Sequence, residues 1–293
     1  MRHASGRLLP FAVLSAALVG VSFGSIFVRL AVAPALAIAL WRMTLASAVV
    51  LPVAVASGQF KPRVAGVQVA LAASAGGLLA LHFGSWMTSL QFTSVANSVL
   101  LVNTAPIFVA LLATLTGRDR PDARTWAAVL LATAGAGVIT WGGLADKASL
   151  LGDLLAIGGA LAMAGYLLLA REAQRGLAYL PYVAVAYGTA AIVLWAAVLI
   201  SGTEWHSFSP RTWAMLAAMA VVSQLLGHGG YNWSLRHLQA AFVSIALTGE
   251  PVLASLLAWW LLDEPIGLRT AVGGALVLAG ILVAVGAAAR ARR

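Results

Sequence analysis

The sequence predicts an all-α integral membrane protein: ten transmembrane helices arranged as two inverted five-helix repeats. Three observations carry this reading. Hydrophobic residues make up 61% of the chain and charged residues only 9%, with a mean hydropathy of +0.94. A water-soluble domain has no use for that much apolar side chain. The chain also aligns with itself at an offset of 145 residues. Finally, Lys and Arg collect on alternate loops, as the membrane potential and the insertion machinery require of a multi-pass chain.

A helical span takes about 20 apolar residues. The hydrophobic runs place spans at 8–28, 35–56, 64–90, 95–117, 123–142, 150–170, 180–200, 212–235, 240–262 and 267–288. Arg2 and Arg7, the apolar run and Ala31-Val32-Ala33 imitate a signal peptide. The run is too long for a signal core, however, and Pro34 stands where a mature chain would begin, so it reads as a retained first span. Residues 91–94 and 236–239 are connections short enough to make their flanking helices antiparallel neighbours.

The repeat is clearest around Ala241 to Glu264. Shifted back by 145 residues, Ala241, Pro251, Leu256, Leu257 and Ala258 fall on Ala96, Pro106, Leu111, Leu112 and Ala113. Ser234-Leu235 falls on Ser89-Leu90, and Gly280 on Gly135. The units are residues 1–146 and 147–293. With the N-terminus in the cytoplasm, thirteen of the 18 Lys and Arg lie inside and four outside; Arg42, within the second span, is the remaining one. This bias predicts a multi-pass inner-membrane protein with both termini cytoplasmic. Five spans per unit is an odd number, so the second unit lies upside down relative to the first, an architecture used by transporters.

Several classes are excluded or disfavoured. The chain has no cysteine, which removes disulfides, thiolate catalysis and cysteine-ligated metals. The net charge of +9 reflects Arg at helix ends meeting anionic headgroups, not a nucleic-acid surface. His residues are scattered, with no second ligand at metal spacing. The glycine pairs Gly76-Gly77, Gly158-Gly159, Gly229-Gly230 and Gly273-Gly274 lie inside apolar runs with no following Lys-Ser/Thr, so they read as helix crossings or hinges and not phosphate loops.

The order and spacing of several features resemble the drug/metabolite transporter superfamily, and within it the EamA-type ten-span family. In the first unit these are the small and polar residues Gly20 to Val28 ending at Arg29, Trp41-Arg42, and the run to Thr104-Ala105-Pro106. In the second they are Gly152-Asp153, Tyr166, Arg171, Glu250-Pro251, the Leu-Ala-Trp-Trp-Leu-Leu run and Glu264. The resemblance covers nearly the whole chain. It implies an exporter or exchanger of small metabolites or amphipathic compounds working by alternating access. It also implies a central cavity lined by the first four spans of each unit, with Tyr166 on one of them. The first unit departs from the pattern, with Gly117-Arg118-Asp119 in place of a Gly-Glu pair.

Polar side chains inside the spans are the candidate substrate-binding residues, because an ionisable group at bilayer depth costs ~3 kcal/mol or more unless it faces a cavity or a partner. Glu250 is a candidate for a cationic group or a coupling proton, or for bonding carbonyls freed by Pro251. His82 and His228 fall one residue apart in the repeat register. Trp86 shares a helical face with His82, and Gln224, Tyr231 and Asn232 share one with His228. Arg42 can attract an anion, pair with Glu250 or snorkel outward. Ser15, Ser22, Ser25 and Arg29 recur on one face of the first span, and Asn97, Asn103 and Thr104 mark the twin of the Glu250 region. Trp205 and Trp213 read as interface markers, and Trp233 as a pocket residue. The expected partners are a small-molecule solute, the lipid bilayer and a proton as coupling ion, with no cofactor and no nucleic acid, in a monomer or homodimer. The competing readings are an integral membrane enzyme and a non-transporting assembly subunit.

Overall fold

A computed structural model of the chain describes residues 2–60, 66–93, 95–117, 120–140, 150–263 and 266–291. Lys61, Arg63, Arg118, Asp119, Lys147 and Glu264, and the side chains of Ser25 and Asn97, lie outside the described residues. Among the described residues every regular element is a helix. In chain order these are α1 (Arg2–Leu30), α2 (Ala35–Ala56), α3 (Gly66–Ser89), α4 (Val95–Val102), α5 (Ala105–Thr116), α6 (Ala123–Thr140), α7 (Leu150–Ala173) and α8 (Tyr179–Ser201). There follow α9 (Pro210–Ala218), a π-helical segment (Met219–His228), α10 (Gly229–Ser234), α11 (Ala240–Leu247), α12 (Glu250–Leu262) and α13 (Leu268–Ala291).

Eight helical stretches among the described residues are long and apolar enough to cross a bilayer. The chain is therefore a multi-pass membrane protein. Their outward faces carry Leu, Val and Ile, such as Leu81, Leu115 and Ile200, which suits lipid contact and not water. Two of the expected spans differ in form. The apolar stretch of α6 is short, Ala123–Ile139. The expected 212–235 span is divided among α9, the π segment and α10.

The expected spans at 95–117 and 240–262 are each interrupted. Helix α4 ends at Val102 and α5 begins at Ala105; α11 ends at Leu247 and α12 begins at Glu250. The 145-residue offset maps the first break onto the second residue for residue. The physical cause is shared. Pro106 and Pro251 lack the N–H that would bond the carbonyl four residues back, and their rings crowd that carbonyl. Polar side chains at the breaks add bonds to carbonyls of the preceding turn: Asn103 Nδ2 donates to the Val99 carbonyl at 2.8 Å and Thr104 Oγ1 to Leu101 at 2.6 Å. In the second unit Thr248 Oγ1 donates to Ile245 at 2.6 Å.

Packing follows the same correspondence. Helix α3 lies along α7 and α8, α1 along the π segment, α10 and α12, α2 along α8, and α6 along α13. Exchanging the units converts the α3–α7 pair into the pair formed by α1 with the 210–234 run, and returns α2–α8 and α6–α13 to themselves. At the α6–α13 crossing, a Cβ on Gly135 would lie 2.6 Å from the Gly273 carbonyl oxygen, and one on Gly273 2.5 Å from that of Gly135. Gly280, the register partner of Gly135, meets the backbone of Ala128 and Ala132 in the same way. Backbones this close are what small residues permit in lipid, where van der Waals contact drives association. One member of the Gly76-Gly77 and Gly158-Gly159 pairs, Gly77 and Gly158, faces open space, whereas Gly76 is pressed against the Ala186 carbonyl.

The entry to α6 is capped outside the apolar stretch. Asp122 Oδ1 accepts from the Thr125 hydroxyl at 2.7 Å and the Thr125 backbone N–H at 2.8 Å. These two bonds hold the Asp122 carboxyl below its ordinary range. A depressed carboxylate adds stability above its unfolded value and loses it as pH falls through its folded value. Asp122→Ala is expected to cost about 1 kcal/mol at neutral pH. The deficit relative to the native chain should shrink towards zero as pH drops below the carboxylate range, read as thermal midpoints in detergent.

Candidate functional site

Arg42 lies two turns into α2 and is 5% exposed. Its Nε–H donates to Gln224 Oε1 at 2.6 Å, a terminal nitrogen lies 3.5 Å from the Ser223 carbonyl, and its guanidinium carbon stands 4.4 Å over the Phe83 ring. It therefore does not snorkel. It lies within Coulombic range of Glu250, yet the direct partner it selects is Gln224, because α2 packs against the π segment that carries this residue.

The π segment gathers the second unit's polar groups. A π turn is wider than an α turn and is a recurrent device at functional sites. Ser223, Gln224 and His228 are all buried along it. His228 Nδ1 bonds the Tyr231 hydroxyl, and the His228 ring meets Phe83 at 5.3 Å between centroids. Phe83 and His228 are register partners, so the two repeats touch each other here at equivalent positions. Asn232 Oδ1 accepts from the Tyr166 hydroxyl at 2.8 Å, and its Nδ2 lies 3.4 Å from Tyr187 Oη. Gln174 Nε2 donates to the Asn232 carbonyl at 3.0 Å, and the Tyr179 hydroxyl to Gly229 at 2.9 Å.

From the first unit, His82 Nδ1 lies 2.9 Å from the Gly159 carbonyl. A carbonyl only accepts, so the proton is on Nδ1. The His82 ring stacks on Trp86 at 6.0 Å and tilts against Phe83 at 5.0 Å. Arg42, His82, Trp86, Gln224, His228, Tyr231, Asn232 and Tyr166 thus belong to one connected network. Ser22 and Glu250 meet beside it on the α1–α12 contact: Ser22 Oγ donates to Leu18 at 2.7 Å and lies 3.5 Å from the Glu250 carbonyl. Asn103 is not drawn in, since its side-chain bond goes to its own helix. On α1 only Ser22 of the described residues on the expected serine face is buried; Ser15 and Arg29 are exposed.

Phe83, Tyr187, Gln174, Tyr179 and Tyr182 were not anticipated from the sequence. For two of them a signal existed, because Phe83 is the register partner of His228 and Tyr187 that of Arg42. Three buried polar atoms of this region find no hydrogen-bond partner among the described residues: Gln224 Nε2, Ser223 Oγ and Trp86 Nε1. Beside Arg42, Trp41 joins Trp195, Trp205 and Trp213 in an aromatic cluster, and its indole N–H donates to the Trp205 carbonyl at 2.6 Å. Trp205 and Trp213 thus pack on α2 as well as marking an end of the bundle. Trp233 pairs with His237 at 4.3 Å, at the end of α10.

A multi-pass helical bundle with a buried polar network between two repeated units is the architecture of a transporter. Comparison with known proteins agrees. The EamA-like transporter family matches residues 8–141 and again 150–286, and the chain belongs to that family. Two proteins of Archaeoglobus fulgidus, each described as an uncharacterized transporter, are similar to it. One is 26% identical over 197 residues, covering 66% of this chain and 68% of its own length. The other is 26% identical over 209 residues, covering 70% and 72%. One solved structure, described as a crystal structure of protein, superposes with a TM-score of 0.80 at 17% identity, over 97% of this chain and 99% of its own, a likeness of fold alone.

Proposed function

We propose that this chain moves a small organic metabolite or amphipathic compound across the inner membrane by alternating access, as an exporter or exchanger and not as an enzyme. The observation that carries the reading is the buried network around Arg42, built by both units at a depth where a bundle held only by packing would be apolar. Ten spans result when α6 and the 210–234 run are counted with the eight longer stretches. Five spans per unit then invert the second unit relative to the first and leave both termini cytoplasmic, in line with the excess of Lys and Arg on inside loops. Solute binds between the units, and their rocking exposes it to either side in turn.

In this reading Glu250 takes up the coupling proton. It is half-buried at the start of α12, beside the helix break, and its register partner is Ala105, so only one unit carries the carboxylate. Purified protein in liposomes tests this. Glu250→Gln is expected to abolish uptake driven by a pH gradient while measurable solute exchange persists. Gradient-driven uptake at the native rate in that variant would remove Glu250 from the coupling step. Absence of any solute movement by the native chain across a broad metabolite panel would count against transport itself.

A further inference from the structure

We propose that the transported solute bears a carboxylate, and that this group binds the Arg42 guanidinium beside Gln224. The inference rests on the transport reading above and names its substrate class. Arg42 is a cation that is 5% exposed, yet no carboxylate is within 4 Å of it among the described residues; Gln224, the Ser223 carbonyl and the Phe83 face are its contacts. Those neighbours hold the guanidinium in place without an ion pair; Glu250 acts on it only from a distance. A buried charge without a contact ion pair is costly, and a bound anion relieves the cost.

The donors match a planar monoanion. Nε–H is committed to Gln224 Oε1, which turns the other end of the same amide, Nε2, into a buried donor with no partner among the described residues. One edge of a guanidinium together with an adjacent amide N–H offers parallel donors to two carboxylate oxygens, the bidentate geometry that Arg supports and Lys does not. The site supplies one positive charge, which suits a carboxylate better than a doubly charged phosphate. Phe83 beneath the guanidinium, with His82 and Trp86 stacked beyond it, gives the rest of the solute an aromatic wall whose indole Nε1 also has no partner among the described residues. The second unit has no equivalent: Arg42 falls on Tyr187 and Gln224 on Leu79, so the repeat places this anion site on one side only.

The test uses the full chain in detergent with matched probe pairs: benzoate against benzamide and hexanoate against hexanamide, with methyl phosphate as a second anion. Thermal midpoint and calorimetric titration are the readouts. The carboxylates should raise the midpoint and bind at least about 10-fold more tightly than their amides, since a charge-assisted hydrogen bond is worth about 10- to 150-fold. Methyl phosphate should bind more weakly than benzoate. Arg42→Gln should lose the preference for carboxylate over amide. Gln224→Glu places a tethered carboxylate beside Arg42; it should fold at least as stably as the native chain and lose benzoate binding. Equal binding of benzoate and benzamide, or native benzoate binding in Gln224→Glu, overturns the proposal. Liposome transport of neutral solutes with no response to carboxylates also overturns it while leaving the transport reading standing. Arg42-dependent benzoate binding without movement of any solute supports the anion site and counts against transport.

Discussion

Arg42→Lys is expected to lower solute transport in proteoliposomes by more than about 10-fold, and Arg42→Leu to abolish it. Lysine keeps the charge but not the planar fork. The guanidinium reaches Gln224 Oε1 at 2.6 Å while its carbon stands 4.4 Å over the Phe83 ring; a single ammonium cannot hold the same amide in plane and keep that contact. Leucine removes the donor outright and leaves both ends of the Gln224 amide unpaired in a buried site. An unsatisfied buried polar group costs about 1–3 kcal/mol, so Arg42→Leu should also melt at a lower temperature. Native transport rates in Arg42→Lys would reduce this residue to a packing role.

Gly135→Val should be the most destabilising change outside the polar network. The first atom of any side chain at Gly135 would fall 2.6 Å from both the Gly273 carbonyl oxygen and the Val277 nitrogen. Both are backbone atoms of α13, which no rotamer change can move aside. Overpacking of this kind costs about 1–3 kcal/mol in well-packed interiors, and here α6 and α13 must separate to accept it. The expected result is a clear fall in thermal midpoint and poor recovery of folded protein. Gly77→Val, at a glycine with open space around it, should change the midpoint little. Equal behaviour of the two variants would show that the α6–α13 contact contributes nothing to stability.

Both sites illustrate what a one-dimensional reading reaches. The 145-residue offset was legible because duplicated units keep their spacing, and it anticipated that residues 95–117 and 240–262 are alike. It did not anticipate that both are interrupted. Proline was visible at both places, but whether it kinks or divides a helix depends on which groups nearby satisfy the freed carbonyls. The rich face of Gln224, His228, Tyr231 and Asn232 was visible as helical spacing, since residues three and four apart share a side. Tyr166 and Tyr187, which complete the hydrogen bonds of Asn232, were not legible from spacing. They lie 66 and 45 residues away on other helices, and no local period reports how two helices are rotated against each other.

By itself the sequence determined that the chain spans a membrane many times, that it is one unit used twice, and that a few polar residues at bilayer depth need a reason to be there. Hydropathy, repetition and the cost of burying charge act along the chain and can be read along it. Only the tertiary structure decided which of those polar residues meet. It set Arg42 against Gln224, 182 residues away, with no ion pair to Glu250, and it brought the rings of the register partners Phe83 and His228 into contact. That choice depends on which helix faces pack together, and packing is a property of the folded bundle and not of any segment within it.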